Sequence, residues 1–196
     1  MMRSEKLLSD LFSGDDEQAE AAVEAIAALP NRDQETIRKH VENQLVSPEV
    51  DVRWWATRAL VAFPDPKMVD LLVKKLEDAD ASVRQCAALG LRNHADARAV
   101  PILVGFLDDG DYLCSHLVAD TLVSIGTPAV EALLEVLEKG SQRARLEATR
   151  ALAQIGDERA IPALFAVLEQ DSAIMEYWAE QGLEAMGVGM VFYTPE

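Results

Sequence analysis

The apolar positions of this chain fall into short one-sided stripes that return on a fixed period. Across residues 49–63 the stripe is Val52, Ala56, Ala59, Leu60 and Phe63, spaced by threes and fours as on one face of a helix. The run Val52-Arg53-Trp54-Trp55-Ala56-Thr57-Arg58-Ala59-Leu60 lies in register with Val83-Arg84-Gln85-Cys86-Ala87-Ala88-Leu89-Gly90-Leu91, 31 residues on. Leu91, Leu122, Leu152 and Leu183 continue the frame at intervals of 31, 30 and 31, and Ala25-Ile26 fits it 34 residues before Leu60. Self-similarity at this period marks a solenoid, in which each repeat buries its apolar face only against its neighbours.

Each period holds a second amphipathic segment. Residues 96–107 match residues 157–168, with weaker copies beginning at Asp65 and Gly126. Asp157 and Thr127 suit helix N-caps, and Pro66 and Pro128 suit a first turn. Acidic turns such as Glu77-Asp78-Ala79-Asp80 and Asp108-Asp109-Gly110-Asp111 stand between the two segments and offer capping carboxylates to the next helix. The pattern predicts twelve helices in six antiparallel pairs. The second, B, helix of each pair is placed near 16–29, 49–63, 80–92, 111–125, 141–155 and 172–186.

The runs Val83-Arg84…Ala87-Ala88-Leu89-Gly90 and Ala148-Thr149-Arg150-Ala151-Leu152-Ala153-Gln154-Ile155-Gly156-Asp157-Glu158-Arg159-Ala160-Ile161-Pro162-Ala163-Leu164 resemble the short HEAT-like repeat first named for phycobilisome lyases. The resemblance extends over essentially the whole chain. It implies an all-α fold, a right-handed α-solenoid of about six antiparallel helix pairs of the HEAT-like or armadillo type. Residues 1–196 then form one domain, with a capping repeat over 1–30 and a capping tail over 187–196. The repeat occurs in bilin lyases, in relatives that handle tetrapyrroles and in adaptor proteins, so it identifies the fold more sharply than the activity. Deoxyhypusine hydroxylases share the architecture and bind two irons through His-Glu dipeptides. Here the three histidines precede Val41, Ala95 and Leu117, so those ligands do not carry over and no metal is expected.

With 49% hydrophobic but only 6% aromatic residues, the core must be built from Ala, Leu and Val, which lets paired helices approach closely. A net charge of −16 argues against nucleic acid, whose binding draws on lysine and arginine, and the basic concave face that HEAT-like DNA glycosylases need is only fragmentary here. The acidic surface suits solubility, or a protein or peptide partner that is itself basic. The sequence has no run of roughly 18 apolar residues and no secretory h-region behind Met1-Met2-Arg3, which predicts a cytoplasmic protein away from membranes; separately, the chain is expected to be a monomer on its own. Cys86 and Cys114 are too few for a disulfide framework, and Cys114 falls on the apolar stripe.

The repeat frame also places residues on the concave B-helix face. One row reads Glu20, Trp54, Gln85, His116, Leu146, Tyr177, and the next reads Glu24, Arg58, Leu89, Asp120, Arg150, Gln181. Aromatic and arginine side chains dominate interface energetics, so Trp54, Arg58, Tyr112, His116, Arg143, Arg150 and Tyr177 are the candidate binding surface. Trp55 and Trp178 fall in a column at the edge between repeats. Arg53, Arg84 and Arg145 form a column expected to brace turn carboxylates. No HExxH, CxxC, phosphate loop or nucleophile elbow is present, so no catalytic residue is assigned.

Two functions fit these residues. The first is a non-catalytic scaffold that holds a partner segment on the concave face, without a cofactor. The alternative, implied by the resemblance, is a bilin or other tetrapyrrole-handling protein of the lyase type. There Trp54, Tyr112, His116 and Tyr177 would stack on the tetrapyrrole, and Arg58, Arg143 and Arg150 would pair with its propionates. Gly187 is expected to cap the last helix, and residues 188–193 to fold back over its apolar flank as a lid.

Overall fold

The computed structural model describes residues 2–63, 65–170 and 172–188. The described residues are mainly helical, and the chain divides into two compact units, Met1–His94 and Ala95–Glu196. Unit 1 carries α1 (Met2–Leu11), α2 (Asp16–Ala27), α3 (Asn31–Gln44), α4 (Val50–Leu60), α5 (Lys67–Lys75) and α6 (Ala81–His94). Unit 2 carries α7 (Val100–Leu103), α8 (Tyr112–Ile125), α9 (Val130–Lys139), α10 (Gln142–Ile155), α11 (Ile161–Gln170) and α12 (Ala173–Ala185). Within each unit the even-numbered B helices stack on one another, α2 on α4 on α6 and α8 on α10 on α12.

The expected B helices lie within two or three residues of where the repeat frame puts them. The acidic turns do cap: Asp15 Oδ1 accepts from Gln18 N at 2.9 Å, and Asp111 Oδ1 from Cys114 N at 2.8 Å. Alternating stripes of Ala, Leu and Val fill the core, and Phe63 is its largest wholly buried side chain. Of the stripe in α4, Ala56, Ala59 and Leu60 are buried, whereas Val52 is only partly so.

The A helices are less regular than the periodicity suggests. Residues 97–99, 127–129 and 158–160 form 3₁₀ turns ahead of α7, α9 and α11, and Val104–Asp108 is 3₁₀ again. Pro101 lacks a backbone donor, and Gly105 is a poor helix former, so this segment keeps only one α turn. Gly126, not Thr127, stands at the N-cap position of the turn before α9.

Three B helices end on glycines at equivalent frame positions, Gly126, Gly156 and Gly187, all with positive φ of 76°, 68° and 76°. After α12 the Val188 N–H reaches Leu183 O and the Gly187 N–H reaches Glu184 O, which places Gly187 as the left-handed residue of a Schellman closure. The matching position 31 residues before Gly126 is Ala95, which also has a positive φ, of 34°. The lid expected over residues 188–193 lies outside the described residues beyond Val188.

The arginine column works on carbonyls as much as on carboxylates. Arg53 Nη1 donates to Ser47 O and Pro48 O, and one period on Arg84 Nη1 donates to Asp78 O and Ala79 O, so each clasps the turn before its own helix. Arg53 adds a two-pronged pair with the Asp78 carboxylate, which ties α4 to the turn before α6. Burial alone would raise the Asp78 carboxyl, but hydrogen bonds from Arg53 and Lys75 hold it well below the usual carboxylate range.

Candidate functional site

In unit 1, Trp54 and Arg58 project from α4. Trp54 stands edge-on to Trp55, with ring centroids 4.8 Å apart. Helical geometry sends adjacent side chains in different directions, so Trp55 is buried while Trp54 stays partly exposed. Trp54 forms one wall of an open cleft of about 860 Å³, with Phe12 and Val52 also lining it. Four carboxylates, Asp16, Glu20, Glu49 and Asp51, surround the same cleft. The Arg58 guanidinium is paired with Glu20 and is therefore engaged within the protein. Cys86 Sγ lies against Trp54 O at 3.9 Å, and burial pushes its thiol up to about 12, which makes it inert.

In unit 2 the register of the stacked helices brings a second group together. Leu113, Arg143 and Ile174 occupy equivalent positions on α8, α10 and α12, with His116, Leu146 and Tyr177 one turn further along. Stacked helices lie about 8–10 Å apart, so this face extends across about 20 Å. Tyr112 is 59% exposed and Tyr177 is 53% exposed, and Leu113 and Ile174 are exposed as well. The Tyr112 and His116 rings stack with centroids 5.8 Å apart, and Tyr177 stands edge-on to Trp178 at 5.4 Å. Arg143 Nη1 donates to Asp109 O at 2.7 Å, in the turn just before Tyr112, which anchors an exposed cation on this aromatic and aliphatic surface.

Arg150 does not belong to that surface, contrary to its assignment from the repeat frame. It is 5% exposed and is enclosed by three partners. Its Nε donates to Glu147 at 3.0 Å, its Nη1 to Asp120 at 2.8 Å and its Nη2 to His116 O at 3.1 Å. Asp120 and Arg150 share one column in successive repeats, and opposite charge draws the guanidinium inward between α8 and α10. Glu147 is 1% exposed and lies 3.4 Å from His116 Nδ1, which meets the geometry of a hydrogen bond with no acceptor among the described residues. This network is a buried support under Tyr112 and His116. A propionate role therefore remains open to Arg143 alone, because Arg58 and Arg150 are already bound to carboxylates.

The sequence reading missed Glu147, Leu113 and Ile174. Glu147 sits in the otherwise apolar column of Trp55, Cys86, Leu117 and Trp178, and a carboxylate there three residues before an arginine signals a buried pair. Leu113 and Ile174 are aligned with Arg143 by the same frame, yet only their exposure distinguishes them from core residues.

The model of the HEAT repeats family matches residues 38–114, 69–141 and 113–184. The phycocyanobilin lyase subunit beta of Pseudanabaena tenuis is 37% identical over 106 residues, which is 53% of this chain and 37% of that protein. The phycobilisome maturation protein of Synechococcus elongatus is 33% identical over 102 residues, 52% of this chain and 48% of that protein. The chain thus spans less than half the length of either relative. Among solved structures, the complex of CpcE and CpcF of phycocyanin lyase from Nostoc shares the fold, with a TM-score of 0.54 and 24% identity over 94% of this chain and 77% of that one. With its repeats matched across residues 38–184, the chain belongs to the HEAT-repeat family, and over half its length it is similar to a phycocyanobilin lyase subunit and a phycobilisome maturation protein.

Proposed function

We propose that the protein handles a bilin, acting with a protein partner in the attachment or maturation of phycobilisome chromophores, and that it holds the tetrapyrrole on the α8–α10–α12 face of unit 2. The observation that carries this reading is the row Leu113, Arg143, Ile174 beside His116, Leu146 and Tyr177, in a chain related to a phycocyanobilin lyase subunit over half its length. A bilin offers a long conjugated apolar surface and two propionates. Tyr112, His116 and Tyr177 supply faces for stacking, and Arg143 supplies a planar cation for a carboxylate. The unit 1 cleft suits a dianion poorly, because its four carboxylates repel propionates. No single helix among the described residues is long and apolar enough to cross a membrane, and a cytoplasmic site of action is part of the same proposal.

Titration with phycocyanobilin, followed through its visible band and through quenching of protein fluorescence, tests the reading. Trp178 lies beside Tyr177 and reports directly on this face. Saturable binding that weakens about tenfold, or about 1.4 kcal/mol, in Arg143→Ala supports the proposal. Wild-type protein that leaves the bilin spectrum unchanged would refute it. The scaffold reading is favoured by a separate observation, the acidic aromatic cleft of unit 1.

A further inference from the structure

The geometry points to the unit 1 cleft as a docking site for a basic segment of a protein partner, with an arginine or lysine side chain lying between Trp54 and the carboxylates of Glu49 and Asp51. This site is distinct from the bilin face and stands whether or not a bilin binds there.

Three observations combine. The cleft, at about 860 Å³, has room for a long side chain together with the peptide that carries it. Trp54 offers a partly exposed indole held edge-on to the buried Trp55, so the ring is preorganised and loses little freedom on contact. An indole face is the best aromatic partner for a guanidinium or ammonium. Finally, the surroundings are anionic. Asp16, Glu49 and Asp51 are exposed and Glu20 is half-buried, and Arg58 neutralises only one of the four.

The carboxylates at helix starts also have an ordinary structural role. Asp16 and Asp51 lie in the first turns of α2 and α4, where they complement the helix dipole. Each helix N-terminus carries roughly half a positive charge. Two such ends together with Arg58 offset about half of the four carboxylates, and the cleft keeps a net negative potential. Glu49 is at the N-cap position of α4, but its side chain makes no capping hydrogen bond, so no backbone donor there holds its carboxylate. A cationic residue inserted here gains both the indole face and the unspent charge, whereas a neutral or acidic one gains at most the indole.

The experiment measures fluorescence anisotropy of a labelled peptide of arginines separated by serines, and of the same peptide with citrulline in place of each arginine. Citrulline keeps the shape and removes the charge. Wild-type protein is expected to bind the arginine peptide about tenfold more tightly than the citrulline one. The same loss is expected in Trp54→Leu and in the double variant Glu49→Gln/Asp51→Asn. Glu180→Gln/Glu184→Gln, which removes as much charge from the exposed surface of α12, should bind as wild type. If Trp54→Leu melts early, the cleft carboxylate variant decides, because those side chains are exposed. The proposal is overturned if the arginine peptide does not bind, if citrulline binds equally well, or if the α12 variant weakens binding as much as the cleft variant does.

Discussion

Replacing Asp78 with asparagine should cost the fold about 2–4 kcal/mol. The Asp78 carboxylate is 5% exposed and accepts from Arg53 Nε and Nη2, each at 3.0 Å, from Lys75 Nζ at 2.8 Å and from the backbone N of Asp80 at 3.1 Å. Lys75 also donates to Leu45 O, so the one carboxylate joins α3, α4, α5 and the turn before α6. Asparagine keeps the shape but not the charge, and leaves two largely buried cations facing a neutral amide. For a chain of this size each kcal/mol shifts the melting temperature by about 2–4 °C, so a fall of roughly 5–15 °C is expected. Circular dichroism melts at neutral pH give the reading, with a double-mutant cycle against Arg53→Met to isolate the pair. Glu135→Gln, which breaks the exposed Glu135–Lys139 pair, serves as the comparison and should melt as wild type. An Asp78→Asn protein melting within about 1 °C of wild type would refute the reasoning, because the network would then behave as a surface ion pair.

Ala95→Gly should raise the melting temperature, by about 0.5–1 kcal/mol of stability, because residue 95 adopts the positive φ that glycine supplies at 126, 156 and 187. An unchanged or lower melt would show that the alanine backbone is unstrained there. Gly182→Ala should destabilise by about 1–3 kcal/mol despite the better helix propensity of alanine, since a Cβ at 182 would meet the Cα of Ala153 at 2.7 Å and force α12 off α10. A more stable variant would contradict that close approach. Acid should weaken the fold: hydrogen bonds from Arg159 hold the Asp157 carboxyl down to about 2, and Asp78 is depressed as well. Carboxyls with folded values below their unfolded ones contribute stability at neutral pH and lose it as pH falls, here from about pH 5 downward. Urea melts should show that loss, and Asp78→Asn should flatten it.

Helix number, pairing and B-helix positions were legible because a solenoid repeats one local pattern, and each copy of the apolar stripe tests the others. The frame placed Trp54 and Tyr177 on accessible surface and Trp55 on a buried edge. It failed at Arg150, because periodicity assigns a direction from a helix but not the charge of the neighbour it meets. Asp120 on α8 and Glu147 on α10 convert a solvent-facing position into a buried pair. Arg58 falls on the candidate binding surface by the same frame, and Glu20 holds it. The irregular A segment around Gly105 was hidden because its apolar spacing matches residues 157–168, where no glycine interrupts the helix.

Visible-range circular dichroism of phycocyanobilin added to the protein tests bilin binding on the α8–α10–α12 face, because a defined chiral site imposes optical activity on the bound chromophore. An induced signal should saturate at one bilin per chain, persist in Trp54→Leu and disappear in Tyr112→Ala/Arg143→Ala. A signal absent from the wild type, or abolished by the Trp54 substitution and retained without Tyr112 and Arg143, would contradict it.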